Sequence, residues 1–295
     1  MPRSSTIIFD TIAIAGVGLI GGSLGMAAKK LGLARRVIGL GRSESRLMKA
    51  QILGAVDEYT LDFASGASEA DLVVICTPVQ TVVPVIRQMA GSLKPGAIIT
   101  DVGSTKAEIV RQAGAITPDG CSFIGGHPMA GSEQAGVEAA YPDLFLGATY
   151  VLTPSEECSL ADLGKMTELA EAIGSDVQVM DPERHDAAVA IISHLPHAIA
   201  ASLLRVAETA QRSGGKAFSL AAGSFRDLTR ISDSPPELWR DICSTNTESI
   251  VAALDSLEQQ LREFRQALTA RDEDAIERFF EDARQIRQTY LRRTK

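Results

Sequence analysis

The hexapeptide Gly16-Val17-Gly18-Leu19-Ile20-Gly21 constrains this chain more than any other stretch. A short apolar run, Ile12 to Ala15, precedes it, and Gly22 to Lys30 follows as a helix ending near Gly32. Strand, glycine turn and helix in that order are the context in which G-x-G-x-x-G marks a dinucleotide-binding βαβ unit. The first glycine allows a tight turn and the second admits a pyrophosphate against the backbone. The third lets helix and strand pack closely, with the phosphates at the helix N-terminus. Gly16, Gly18, Leu19, Ile20 and Gly21 are therefore candidate cofactor contacts.

The second strand, Arg36 to Leu40, ends in Gly41-Arg42-Ser43. NAD-binding folds usually place an acid here for the ribose 2′-hydroxyl, whereas an arginine accommodates a 2′-phosphate. Arg42 and Ser43 join the cofactor set, and the cofactor is NADP or NAD, with Arg42 leaning to NADP. Leu72 to Cys76 is a continuous apolar run, suited to a parallel strand covered on both faces. It ends in Thr77-Pro78, two further cofactor candidates. Ala97 to Thr100 is the next strand, closing in Asp101-Val102-Gly103-Ser104-Thr105-Lys106, so Ser104 and Lys106 emerge at a strand's carboxyl end, where open α/β sheets bind ligands. Gly125 to Glu133 follows the apolar run Cys121 to Ile124 and is expected to leave the strand as a loop carrying His127. Histidine titrates near neutrality, so one fixed between glycines and Pro128 suits proton transfer, although a turn-capping histidine reads equally well from this stretch alone. Strands over Ala148–Thr153 and Asp176–Met180, with a helix between, complete the alternation. The fold class is α/β: a Rossmann-type doubly wound, mainly parallel sheet over residues 1–181.

After Asp181-Pro182 no convincing strand appears, and an all-helical second domain is expected over residues 182–295. Its helices read as Glu183 to Gln211, Ala217 to Ile231, Pro236 to Leu268 and Asp272 to Leu291. In the first, Ser193-His194-Leu195-Pro196-His197 puts two histidines three apart on one face, with Pro196 kinking the helix. A metal reading is poor, because no H-E-x-x-H occurs and His185 lies nine residues before His194, near the opposite face. In the second, Arg226 and Arg230 are four apart, Asp227 can pair with Arg230, and Trp239 lies nearby. A guanidinium grips a carboxylate through two parallel hydrogen bonds, which suits a carboxylic-acid substrate.

Composition sets the outer bounds. A formal charge of −8 over 295 residues, without a basic cluster, argues against nucleic-acid and anionic-membrane partners. Four scattered cysteines form no C-x-x-C pair, which fits a reducing, cytoplasmic compartment. The N-terminus lacks a signal-peptide core, and no run of about 18 apolar residues is written. Apolar stretches such as Ala187–Ile192 and Ala198–Leu204 suit a subunit interface, so a homodimer is expected.

Five motifs in order, Gly16 to Leu24, Asp101 to Lys106, Gly125 to Glu133, Ser193 to His197 and Phe225 to Arg230, resemble the prephenate dehydrogenases, the NAD(P)-linked enzymes of tyrosine biosynthesis. The resemblance runs from Gly16 to about Trp239. It implies oxidative decarboxylation of prephenate to 4-hydroxyphenylpyruvate. His127 matches the family's catalytic histidine, and Ser104 a residue that helps position it. Arg230 matches the arginine holding the ring carboxylate, and His197 a substrate-side histidine. Glu133 and Asp227 match polar residues around that arginine, and Trp239 an aromatic residue near the substrate side chain. Tyrosine, a product-like ligand, is a candidate inhibitor. Arogenate as substrate, or dual cyclohexadienyl specificity, stays open, as does the cofactor.

Other readings fit less well. β-Hydroxyacid and 6-phosphogluconate dehydrogenases use a lysine base in the helical domain, where this chain offers Ser193, His194 and His197. A methyltransferase would carry an acid after the second strand. A catalytically silent NADP-sensing module would need no proton acceptor between a nicotinamide and an arginine pocket.

Overall fold

A computed structural model describes residues 7–131 and 134–291 of the chain. The nucleotide-binding half begins β1 (Phe9–Ala15), α1 (Leu19–Leu31), β2 (Ala34–Leu40), α2 (Glu44–Ile52), β3 (Glu58–Thr60) and α3 (Phe63–Ser68). It continues β4 (Leu72–Ile75), α4 (Val82–Met89), β5 (Ile98–Asp101), α5 (Ala107–Gly114), β6 (Ser122–Pro128), β7 (Thr149–Pro154), α6 (Leu160–Ala172) and β8 (Asp176–Val179). These strands form one sheet in the order β3-β2-β1-β4-β5-β6-β7-β8. The order reverses between β1 and β4, which opens the crevice where such sheets bind ligands.

Burial explains why the strands read as unbroken apolar runs. Side chains alternate between faces along a strand. Ile12, Ile14, Leu72 and Val74 enter one buried cluster, and Ala13, Ala15, Val73 and Ile75 the other. The inner stretches of these strands, Ile12–Ala15 and Leu72–Ile75, are accordingly apolar on both faces. The sheet is parallel except at β6 and β7, which pair antiparallel. A parallel return needs a crossover of a dozen or more residues, usually helical. Between β6 and β7 the described chain holds only one short 3₁₀ turn, Val137–Ala139, so the chain folds back on itself.

Among the described residues no strand follows Asp181, and the chain continues as helices. Asp181 caps α7 (Pro182–Val189) by accepting the Glu183 and Arg184 amides, with Pro182 in the first turn. A π-helical turn over Ala190–His194 then leads into α8 (Leu195–Arg212). Pro196 has no amide to reach back one turn, and the helix widens just before it. α9 (Gly223–Thr229), α10 (Pro236–Thr245), α11 (Thr247–Ala270) and α12 (Glu273–Tyr290) follow.

Three expectations are corrected. Residues 217–231 are not one helix: 3₁₀ turns at Phe218–Leu220 and Arg230–Asp233 flank α9, with Ala221 and Ala222 extended between. Residues 236–268 are broken at Asn246, whose backbone (φ −132°, ψ 37°) leaves the helix to separate α10 from α11. Gly125 to Pro128 is strand rather than loop, because β6 stays paired with β7 as far as Pro128 opposite Tyr150.

By contacts the chain forms two compact units, Met1–Thr247 and Glu248–Lys295. The second is a helical hairpin in which the chain reverses at Arg271 (φ 55°) and Asp272 caps α12 through the Ala275 amide. Phe264 of α11 stacks on Phe279 of α12 with ring centroids 4.7 Å apart. In the first unit, the helical run Pro182–Arg212 is long and apolar enough to cross a membrane by length and composition, despite having no unbroken apolar run of that length. Its outer residues are bare: Ile191, Ile192 and Val206 are 59%, 68% and 66% exposed.

Candidate active site

Two features meet at the carboxyl ends of the central strands. The first is a cavity of about 1060 Å³ beside the glycine loop, lined by Gly16, Gly18, Arg42, Ser43, Thr77 and Pro78 among others. Gly16 adopts φ 93°, and a Cβ there would lie 2.9 Å from the Cys76 carbonyl oxygen, so only glycine makes this turn. At Gly21 a Cβ would meet the Gly16 oxygen at 2.5 Å, which is why helix α1 can start so close to β1. Leu19 and Ile20 open α1 and pack, partly buried, on the core, so their side chains hold the loop in place. Gly18 caps α1 with no side-chain acceptor for the first-turn amides, and such a helix start favours a phosphate. Thr77 Oγ1 is buried with no hydrogen-bond partner among the described residues. A buried hydroxyl left alone is costly, and a polar ligand in the cavity beside it supplies a partner. Arg42 and Arg46 line the same cavity and form no ion pair with any described residue. Loop, helix start, orphaned hydroxyl and arginines together fit a nicotinamide dinucleotide.

The second feature is a buried polar chain around His127. β5 and β6 are adjacent and parallel, so Ser104, in the loop after β5, and His127, near the end of β6, emerge at the same edge. Lys106 is fully buried, bonding the Asp101 carboxylate and donating to the Gly126 carbonyl oxygen at 2.8 Å. Burial pushes its ammonium pKa down and Asp101 opposes the shift. Asp101 also accepts the Gly103 amide at 2.8 Å and the Gly126 amide at 3.3 Å. This ion pair fixes the peptide immediately before His127.

His127 Nδ1 lies 2.8 Å from His185 Nε2, and His185 Nδ1 lies 2.8 Å from Asp186 Oδ1. Both residues sit on α7, and His185 is 1% exposed. Burial, together with the neighbouring rings of His185 and His194 and the Lys106 charge, holds the His127 pKa well below that of an ordinary histidine. Its resting form is the neutral imidazole a general base requires. Asn246 donates to the Asp186 carbonyl oxygen at 2.8 Å and lies 3.3 Å from His194 Nδ1. Burial likewise takes His194 down to about 4. Thr105 and Thr245 share a hydroxyl hydrogen bond of 2.9 Å, and Gln80 donates to Ser244 at 2.9 Å, tying α10 to the strand ends.

Trp239 of α10 stacks on His197, ring centroids 3.9 Å apart, and meets His194 edge-on at 6.1 Å. His197 Nδ1 donates to the Ser193 carbonyl oxygen at 2.8 Å, leaving Nε2 free of that bond. Arg230 is exposed and begins the turn that packs against α8. The suggested pairing with Asp227 is corrected: among the described residues no ion pair joins Asp227 and Arg230, two exposed side chains for which such a pair is worth little. Glu133 lies outside the described residues. Among the described residues no group of three or more His, Cys, Asp and Glu is arranged to hold a metal ion.

Sequence reasoning missed His185, Asp186 and Asn246. The adjacent His-Asp pair directly after the capped helix start was the available signal, but nothing local joins it to His127, 58 positions earlier.

Comparison with known proteins places this geometry. A family model described as the nucleotide-binding domain of prephenate dehydrogenase matches residues 24–179, and one for its dimerization domain matches residues 181–282. The prephenate dehydrogenase of Bacillus subtilis is 37% identical over 94% of this chain and 75% of its own length. The cyclohexadienyl dehydrogenase of Zymomonas mobilis is 34% identical over 95% of this chain and 96% of its own. A crystal structure of prephenate dehydrogenase from A. aeolicus, in complex with hydroxyphenyl propionate and NAD+, superposes with a TM-score of 0.89 at 30% identity, covering 95% and 98% of the two chains.

Proposed function

The chain belongs to the prephenate dehydrogenase family, and we infer from this that it catalyses the NAD(P)-dependent oxidative decarboxylation of prephenate to 4-hydroxyphenylpyruvate in tyrosine biosynthesis. The observation that carries this reading is the placing of His127: a partly buried imidazole, 2.8 Å from His185, on the same carboxyl-end side of the sheet as the glycine-loop cavity.

Gly16, Gly18, Thr77 and Pro78 would hold the dinucleotide, with Arg42 and Ser43 on the side of its adenosine ribose. Bound there, a nicotinamide supplies the hydride acceptor. His127, steadied by Ser104, takes the proton of the ring hydroxyl as its carbon becomes a carbonyl. The ring carboxylate then leaves as carbon dioxide, its bonding electrons restore aromaticity, and the resulting phenolate oxygen takes a proton back from His127. Arg230 anchors that carboxylate, and Asp227 and Glu133 are proposed as further substrate-binding residues. His197 and Trp239 form the aromatic wall for the side chain. Tyrosine, shaped like the product, competes for this site.

The functional boundary falls near Asp181, where the cap of α7 ends the nucleotide-binding part. The bare apolar face of the run Pro182–Arg212 is the homodimer interface rather than a membrane span, in keeping with the description of the matching dimerization domain. All four cysteines are free, which supports a cytoplasmic enzyme.

Arogenate is the second reading, favoured by the cyclohexadienyl dehydrogenase relative. Reduced-nicotinamide absorbance, read after adding prephenate or arogenate with NAD or NADP, separates these readings. Turnover is expected with prephenate, and faster with NADP because Arg42 stands where an acid would select NAD. A preference for NAD removes Arg42 from cofactor selection. Silence in all four mixtures leaves a cofactor-sensing module and overturns the reading.

A further inference from the structure

Asp186 is held from two sides. Its Oδ1 accepts the Lys106 amide at 2.7 Å and its Oδ2 the Ala107 amide at 2.9 Å, at the N-terminal end of α5. An anion there is favoured by the helix dipole. Its carbonyl oxygen accepts Asn246. A carboxylate only accepts hydrogen bonds, so the proton between Asp186 Oδ1 and His185 Nδ1 belongs to His185. An imidazole with a single N–H, given to Asp186, presents its other nitrogen as an acceptor, so in that form His185 Nε2 accepts. The group opposite it, at 2.8 Å, is His127 Nδ1, which must therefore be the donor. His127 Nε2 is then left with its lone pair.

We propose that His185 and Asp186 are positioning residues that lock His127 in the tautomer whose Nε2 takes the substrate proton. The proposal rests on His127 being the base. The other ionisable groups around these rings are Asp101, Lys106 and His194. Asp101 and Lys106 neutralise each other in a buried pair, and His194 is turned toward Asn246 and Trp239. None of them competes for His185 Nε2. When His127 gains the proton, the same two hydrogen bonds face the imidazolium with an acceptor backed by a carboxylate. An oriented histidine of this kind loses much of its power when the orienting group goes, as in serine-protease triads.

The test compares His185→Gln, His185→Asn and His185→Leu with wild type and with His127→Asn, measuring kcat, KM for prephenate, dinucleotide Kd and Tm. Gln reaches His127 with an amide oxygen that accepts its Nδ1–H. Asn keeps a donor to Asp186 but is too short to reach, and Leu makes neither bond. The Asn and Leu variants are expected to lose about 10²-fold in kcat, between the effect of an outer-shell partner and that of a triad carboxylate. KM and Kd stay near wild type, and Gln recovers most of the loss. Should Leu fail to fold, the Gln and Asn pair carries the comparison. Wild-type kcat in the Asn variant, or a Gln variant as slow as Asn, overturns the positioning role while leaving the base in place. Wild-type turnover in His127→Asn removes the base itself, and the positioning role with it.

Discussion

At the residue scale, environment does the work that identity alone cannot. Four histidines occur in the chain, and all four lie around this one site. His127 and His197 are both partly buried, but His127 faces the His185 ring and is kept neutral, whereas His197 has one nitrogen bonded to the backbone. His127 was legible in sequence because glycines and a proline frame it. His185 was not, because its meaning depends on a partner on another element. Arg230 is exposed and unpaired with Asp227, so its fork is available to a carboxylate. Arg230→Gln is expected to raise KM for prephenate about tenfold or more with kcat changed little, since a ground-state contact is lost. Steady-state kinetics check this, and an unchanged KM would make the arginine structural.

At the element scale, what could be read and what could not divide by cause. Strands buried on both faces announce themselves as apolar runs, and β1, β4 and β5 stand where those runs lie. The glycine turn into α1 is dictated by backbone sterics, and it too was readable. Pro196 signalled the break in the long helix, which takes the form of a π turn. The breaks at Ala221–Ala222 and at Asn246 carry no proline, and only Gly223 beside the first hints at one. Asn246 leaves the helix where its side chain bonds the Asp186 carbonyl oxygen, a tertiary contact no local pattern records. The same holds for β6, whose strand extends through Gly125 to Pro128 because β7 folds back to pair with it. That extension puts His127 on a rigid, hydrogen-bonded element, where a reacting group holds its position better than on a loop.

At the scale of the whole molecule, the apolar outer face of Pro182–Arg212 needs a cover. Patches of exposed isoleucine and valine on a soluble monomer mark an interaction surface. The mass in solution at micromolar concentration is expected to be twice that of the chain, and a monomeric mass would leave that face unexplained. The nucleotide cavity and the histidine cluster were each visible in part from sequence. Their convergence at one sheet edge was not, since it follows from the strand order β1-β4-β5-β6.

The central claim is that a neutral His127 drives the reaction as its base. The measurement that reaches it most directly is kcat/KM for prephenate against pH, for wild type beside His127→Asn. Activity needs the unprotonated ring, so it is present above the ring's pKa and lost as pH falls through it. Burial holds that pKa well below 6.5, so the wild-type acid limb is expected below 6.5. The variant is expected to lose about 10²–10⁴-fold in rate and to lose that limb. A wild-type limb at or above 6.5, or a variant with near-normal turnover, would contradict the claim.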